Sequence, residues 1–237
     1  MRLGIQVGKD LWAFARQCRE RLKAEHGLTY SASVDVNELM RTVALVKGEE
    51  TNITSSFHPG SSVLNEANFW WSKLVDEKGG TVAYTVHRLI PTDDLIEDYA
   101  LGRLFSDGAP DLDMGLPTMV DNPRIPPIAG RVLFAGGLWV TKRRRDEGIP
   151  RVYSPMGQAL SLIRFNWDYF VILQKMNDEY HRRGGIGYGF KRSEWLSTGV
   201  YPPHGYVLDI AIAWKSRQEL IDDILGKMNT GSKNTDA

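Results

Sequence analysis

VLFAGGLWVTKRRRDEGIP, residues 132–150, passes from nine almost continuously apolar positions through four consecutive cations to two acids, a glycine and a proline. An apolar run this long, closed by charged and turn-forming residues, predicts a buried strand over Arg131–Val140 followed by a loop. Downstream, Ser154 is a candidate helix cap with Pro155 in the first turn, and Met156, Ala159, Leu160 and Ile163 carry a helix that ends near Asn166. A strand that feeds a helix through a glycine-containing loop leaves amide N–H groups without partners and partial positive charge at the helix start, which favours anions. Arg143, Arg144 and Arg145 add guanidinium forks that match phosphate oxygens. The segment contains neither GxxxxGK[ST] nor GxGxxG, so a Walker or dinucleotide loop is disfavoured here.

Working outward, Leu11, Phe14, Ala15, Cys18 and Leu22 recur at spacings of three and four, predicting a helix over Asp10–Glu25 that Gly27 can end. Val36, Leu39, Met40 and Val43 mark a second helix within Val34–Val46, capped by Ser33 or Asp35. Phe69–Val75 and Thr81–Ile90 flank DEKGG and predict an antiparallel hairpin. Residues 91–130, with a short helical stretch in DDLIEDYALGRLF, read as an insertion or substrate-side loop outside the core. YFVIL at Tyr169–Leu173 and YVLDIAIAW at Tyr206–Trp214 predict two further buried strands, with a helix through QKMNDEYHRR between them. Ser216–Met228 closes the chain as a helix. This alternation predicts an α/β (α+β) fold with a mixed central sheet flanked by helices, as one domain over residues 1–228 with a polar tail at 229–237.

Composition narrows the function. Lys plus Arg and Asp plus Glu number 29 each, so there is no basic excess for general nucleic-acid binding, and partners must be sought in local patches. Cys18 is the single cysteine, which rules out an intramolecular disulfide and a cysteine-based metal site and fits a reducing compartment. No apolar run approaches the length of a membrane span, and the N-terminus lacks the apolar core of a secretory signal, so the expectation is a cytoplasmic protein.

R-D-E-G-I-P at residues 145–150 resembles the acyl-CoA pyrophosphate loop of the GNAT superfamily of N-acyltransferases, whose pattern is [R/Q]-x-x-G-x-[G/A]. Arg145 and Gly148 match; Pro150 departs from the final small residue and removes one N–H donor. The order of hairpin, strand, loop, helix, strand, helix and strand is similar to that family's over roughly Phe69–Trp214. The resemblance implies a GNAT-like fold whose two central parallel strands separate, with acetyl-CoA or another acyl-CoA as co-substrate and its arm in the gap. It implies backbone pairing near Leu138 and Val140, and pyrophosphate binding by the amides of Arg145, Asp146, Glu147, Gly148 and Ile149. Asn177 would complete the cofactor site, and Tyr180 would be the catalytic acid that reprotonates the leaving thiolate. The acceptor would be a small-molecule or peptide amine, with no metal and no membrane involved; a homodimer is left open.

Each residue also has a structural reading. His87 alternates onto the face of Thr85 and Leu89, where a hydrogen-bonded core histidine is the simpler role, and His204 in PPHGY is no better supported as a base. Asp209 is either a buried acid or a solvent-facing one. Trp70, Trp71, Trp139, Trp167, Trp195 and Trp214 fit sheet and core positions. Asp93, Asp94, Glu97 and Asp98 fit a helix N-terminus as well as an attractor of cationic amines. Two other functions compete: a non-catalytic acyl-CoA-binding or ligand-sensing protein of the same fold, and a nucleic-acid or anion module built on KRRR.

Overall fold

The computed structural model describes residues 3–46, 53–107, 116–176, 189–201 and 206–232. Its centre is a mixed eight-stranded sheet in the order β1-β2-β3-β5-β6-β10-β7-β4. The strands are β1 (Thr29–Ser33), β2 (Phe69–Val75), β3 (Thr81–Thr92), β4 (Thr118–Met119), β5 (Gly130–Val140), β6 (Tyr169–Lys175), β7 (Ser193–Thr198) and β10 (Ile210–Ser216), with β8 (Val200–Tyr201) and β9 (Tyr206–Val207) paired separately. Every neighbour in the sheet is antiparallel except β5 and β6, which are parallel. A parallel pair needs a long crossover, and α4 (Ile149–Phe165) supplies it.

Helices cover both faces because each sheet face is apolar. On one face α1 (Ile5–His26), α4 and α5 (Arg217–Ser232) bring Leu11, Phe14, Leu22, Met156, Ala159 and Leu220 against Trp70, Leu133 and Phe170. On the other, α2 (Val36–Leu45), the 3-10 turn Ser55–Phe57 and α3 (Leu95–Ala100) bring Leu39, Phe57, Leu95 and Tyr99 against Trp71, Val86 and Phe134. α1 ends as its sequence predicts. Gly27 adopts φ 67°, and the amides of Gly27 and Leu28 return to the carbonyls of Lys23 and Leu22. Asp35 caps α2 by accepting from the amides of Asn37 and Glu38 at 2.8 and 3.2 Å.

Four expectations change. The 91–130 segment is not outside the core, since Leu95, Tyr99, Leu104, Phe105 and Ile128 are buried. A six-residue helix is too short to display a period, so its apolar positions did not register as a core face. The helix after the basic run begins at Ile149, not Ser154: Gly148 takes the left-handed conformation (φ 72°), and a proline is tolerated in the first turn, where its missing N–H costs no helical bond. Pro155 lies inside α4. The run Tyr206–Trp214 is two strands, because β9 pairs with β8 while only Ile210 onward joins the main sheet. Gln174 and Lys175 belong to β6, not to a helix, and the rest of the expected helix, from residue 177, lies outside the described residues. The structure also contains β1 and β7, which are short and half exposed and so carry no alternation strong enough to read.

β5 is where the fold opens. Its register with β3 passes from Tyr84–Trp139 to Val86–Gly136, so two residues, Gly137 and Leu138, face the single residue Thr85. This is a β-bulge, and Gly137 takes φ 59° within it. A bulge bends its strand, and the bend falls immediately after the last residue that β5 shares with β6, Ala135 paired with Ile172. Gly136 serves packing instead: a Cβ there would lie 2.5 Å from Cε2 of Phe57, whose fully buried ring stacks on Phe134. Gly136→Ala is therefore expected to destabilise the protein by about 1–3 kcal/mol in urea denaturation. Adding Phe57→Leu should recover part of that loss; an additive double variant would rule out the contact as its cause.

Candidate functional site

Beyond Ala135 and Ile172 the two parallel strands no longer pair, although β5 continues to Val140 and β6 to Lys175. The remainder of β6 stays bonded on its other edge, where Leu173, Gln174 and Lys175 face Ile212, Ala211 and Ile210 of β10. The result is a wedge between strand edges, open at the C-terminal ends of β5 and β6. Backbone groups alternate between the two edges of a strand. The amide of Thr141 donates to the Val82 carbonyl of β3, so the backbone groups of Val140 point to the other edge, into the wedge, with Leu138 two residues earlier in the bulge. Their side chains pack toward α1 and α4. Leu138 and Val140 thus lie on a stretch of strand edge that no neighbouring strand pairs, where Arg145 Nε occupies the Val140 carbonyl at 3.0 Å and an extended amide-containing chain can complete the rest.

Gln174, on the β6 side, was not among the residues singled out from sequence. It is buried, its Nε2 donates to Ser193 Oγ at 2.6 Å, and its Oε1 has no partner among the described residues. An unpartnered amide oxygen in a buried site is an acceptor available to a ligand N–H. A lone glutamine in an apolar strand carries no motif; the one sequence signal at the wedge was the Gly-Gly pair inside β5, which marks a bulge.

The basic run closes the wide end of the wedge as a 3-10 turn over Lys142–Glu147, with Gly148 leading into α4. Two of its arginines are held. Arg144 grips the Glu147 carboxylate through Nε and Nη2 at 2.6–2.9 Å and donates to the His26 carbonyl at 2.9 Å, tying the turn to the C-terminus of α1. That hydrogen bonding holds the Glu147 carboxyl below its usual range. Arg145 donates from Nε to the Val140 carbonyl at 3.0 Å, which sets its guanidinium at the end of the open strand edge while the side chain stays exposed.

The amide cradle implied by the resemblance is reduced in this conformation. A 3-10 turn spends its amides on carbonyls three residues back, as Arg144 N–H does on Thr141. Arg151 N–H bonds the Gly148 carbonyl at 2.9 Å, and Pro150 has no N–H, so the first turn of α4 offers Gly148 and Ile149 as its outward donors. Ile149 itself is fully buried by its side chain. The exposed cationic side chains of the turn are Lys142, Arg143 and Arg145. The side chains of Asp146 and Glu147 are exposed and supply no positive charge.

Asn177, Tyr180 and His204 lie outside the described residues. His87 is a core residue, as its structural reading held, but without the hydrogen bond expected for it. It is buried, stacked 4.8 Å from Trp70 and edge-on to Phe170, with Nδ1 unpartnered. Burial pushes its pKa down to about 3, so it is neutral at physiological pH. Asp209 faces solvent and accepts from Thr198 Oγ1 at 2.6 Å. Asp94 caps α3, while Glu97 and Asp98 pair with Arg103, so the acidic cluster is largely engaged in its own helix and loop. Of the tryptophans singled out, all are buried except Trp195, which is half exposed. Among the described residues no group of His, Cys, Asp and Glu could hold a metal, and no helix is long and apolar enough to cross a membrane.

No family model matches the sequence, and no curated protein gives a significant match. Solved structures do. The Arabidopsis thaliana NAA60 structure in complex with acetyl-CoA superposes at 12% identity, covering 81% of this chain and 99% of that one, with a TM-score of 0.48. A GNAT-family acetyltransferase from Streptococcus pneumoniae does so at 11% identity, covering 80% and 99%, with a TM-score of 0.42. Beside these likenesses, the chain's own topology carries the fold: a mixed sheet flanked by helices, in which a β-hairpin leads into a strand, a basic turn, a helix and a parallel strand that parts from the first, resembling the GNAT arrangement.

Proposed function

We propose that this protein is an acyl-CoA-dependent N-acyltransferase, with acetyl-CoA as the simplest donor and an amine as acceptor. The observation that carries this reading is the wedge between β5 and β6, whose open strand edge runs directly into a cationic turn. An extended chain with amides along its length and phosphates at one end matches both parts at once. The edge of Leu138 and Val140 would pair with the amides of such an arm, Gln174 Oε1 would accept one of its N–H groups, and Arg145 with Lys142 and Arg143 would take the phosphates. The arm presents a thioester at the narrow part of the wedge; the acceptor nitrogen bonds to its carbonyl carbon, the C–S bond breaks, and the amine proton must leave while the thiolate gains one. Tyr180 is the proposed source of that proton, and Asn177 is a proposed cofactor-binding residue.

A second reading, binding without transfer, is favoured by one finding: His87 is buried and neutral, and Asp209 turns to solvent, so neither serves as a base at the wedge. Two measurements separate the readings. Calorimetric titration with acetyl-CoA should show saturable binding to the wild type, and a panel of primary amines should then release free thiol. Binding without thiol release would favour the sensor; absence of binding at millimolar acetyl-CoA would end both.

A further inference from the structure

The outer side of α1 gathers positive charge around a tryptophan. Ile5, Lys9, Trp12, Arg16, Arg19 and Lys23 follow one another at spacings of three and four, so they fall within about 80° of the helix circumference and run for roughly 27 Å along it. All six are exposed, Ile5 by 84% and Trp12 by 52%, while Leu11, Phe14, Ala15, Cys18 and Leu22 on the inner side are buried in the core shared with α4 and α5. Lys9, Trp12, Ala13, Arg16 and Arg19 bound a shallow surface cavity of about 440 Å³.

Elsewhere on the surface cations are matched by acids, as Arg21 is by Glu25, Arg41 by Asp35 and Arg103 by Glu97 and Asp98. Among the described residues Lys9 and Arg16 have neither an ion pair nor a side-chain hydrogen bond, and Arg19 lies over the Tyr30 ring at 4.6 Å. Lys23 meets Glu77 at 3.6 Å in an exposed pair, which binds weakly. Of the acids on α1, Asp10 accepts from Gln6 at 2.8 Å away from this line, Glu25 is taken by Arg21, and Glu20 stands at its flank. Unmatched cations around an exposed indole call for an anionic partner, and the shape of the face selects which. Side chains in a line along the outside of a helix meet a plane together, whereas a nucleic-acid strand needs a groove to follow, and a second copy of the same face would set cation against cation. Lysine and arginine stems beside tryptophan and isoleucine are also what a lipid headgroup boundary accepts, with the apolar part inward and the charge among phosphates.

We propose that this face of α1 docks the protein on an anionic membrane surface, with Ile5 and Trp12 entering the headgroup layer and Lys9, Arg16, Arg19 and Lys23 taking lipid phosphates and carboxylates. Such a helix lies on the bilayer and does not cross it. The expectation of no membrane contact rested on the absence of a spanning run, which a surface helix does not need; among the described residues no helix is long and apolar enough to span. The dock stands apart from the acyltransferase reading, and its test needs no activity.

The test is co-sedimentation of the full chain with lipid vesicles. Binding to phosphatidylcholine containing about 30% phosphatidylserine should exceed binding to pure phosphatidylcholine by about tenfold or more and should fall as salt rises. Each cation is expected to strengthen binding about fivefold, so Lys9→Gln with Arg16→Gln should weaken it about 10- to 30-fold, and Trp12→Ser about three- to tenfold. Arg21→Gln removes an exposed cation from the other side of the same helix and should change binding by no more than about twofold. All four positions are exposed, so the core that α1 shares with α4 and α5 is untouched by these variants. Equal binding to both vesicles, binding to neither, or a loss in Arg21→Gln as large as in the double variant would each overturn the proposal. Binding of a single-stranded RNA oligonucleotide without binding of anionic vesicles would assign the face to nucleic acid and would overturn it as well.

Discussion

Replacing Arg145 by alanine together with Gly148 by tryptophan is expected to abolish measurable acetyl-CoA binding in calorimetry, with Arg145→Ala alone weakening it about 10- to 100-fold. The single change removes a guanidinium anchored by its Nε to the Val140 carbonyl, which leaves its two terminal nitrogens to bind phosphate. Charge-assisted bonds of that kind contribute roughly 1.5–3 kcal/mol. At Gly148 a Cβ would meet no protein atom within 4 Å, but the residue sits at φ 72°, where a side chain is strained. An indole there projects into the open mouth of the turn and blocks the ligand without repacking the core. The melting temperature of Arg145→Ala should therefore stay near wild type. Unaltered binding in the double variant would show that the basic turn is a solvated charge run and that the phosphates, if bound, lie elsewhere.

The acid limb of the stability curve should carry the signature of His87. Its folded pKa is about 3, against roughly 6.5 for an exposed histidine. Between those values the unfolded chain binds a proton that the folded protein refuses, so stability rises with pH across this window. The contribution is complete above about pH 6.5 and is lost as pH falls, at up to about 1.4 kcal/mol per pH unit. His87→Phe keeps an aromatic ring between Trp70 and Phe170 and cannot titrate, so urea denaturation from pH 7 to pH 4 should show a distinctly shallower decline than wild type. An identical decline in both proteins would mean that His87 protonates without unfolding. The same burial explains why alternation could place His87 on the correct face of β3 yet could not tell a base from a core ring: exposure depends on Trp70, Phe170 and the close approach of Gly157, which come from three other elements.

Local chemistry was enough wherever one segment decides its own conformation. The stripe of α1, its stop at Gly27, the Asp35 cap of α2, the β2–β3 hairpin and the buried run of β5 depend on side-chain period, on glycine in the left-handed region and on short-range hydrogen bonds, all written in consecutive residues. So was the basic turn, with Arg145 and Gly148 as its informative positions and Pro150 as its departure. What Pro150 does required the helix start: once Gly148 turns the chain at φ 72°, proline falls in the first turn of α4, where it is tolerated structurally and subtracts an anion donor.

The long-range decisions were not written in any one stretch. That β6 follows β5 for four register pairs and then leaves it, that Tyr84 meets Trp139, and that Gln174 reaches Ser193 across β10 all depend on residues far apart in sequence. The short strands β1 and β7 and the core residues of the 91–130 segment were silent for the same reason: their burial comes from partners they do not encode. A period of two or 3.6 residues reports which face of an element is apolar, whereas the wedge is a relation between two strands and a bulge, and relations of that kind exist only after the sheet has assembled.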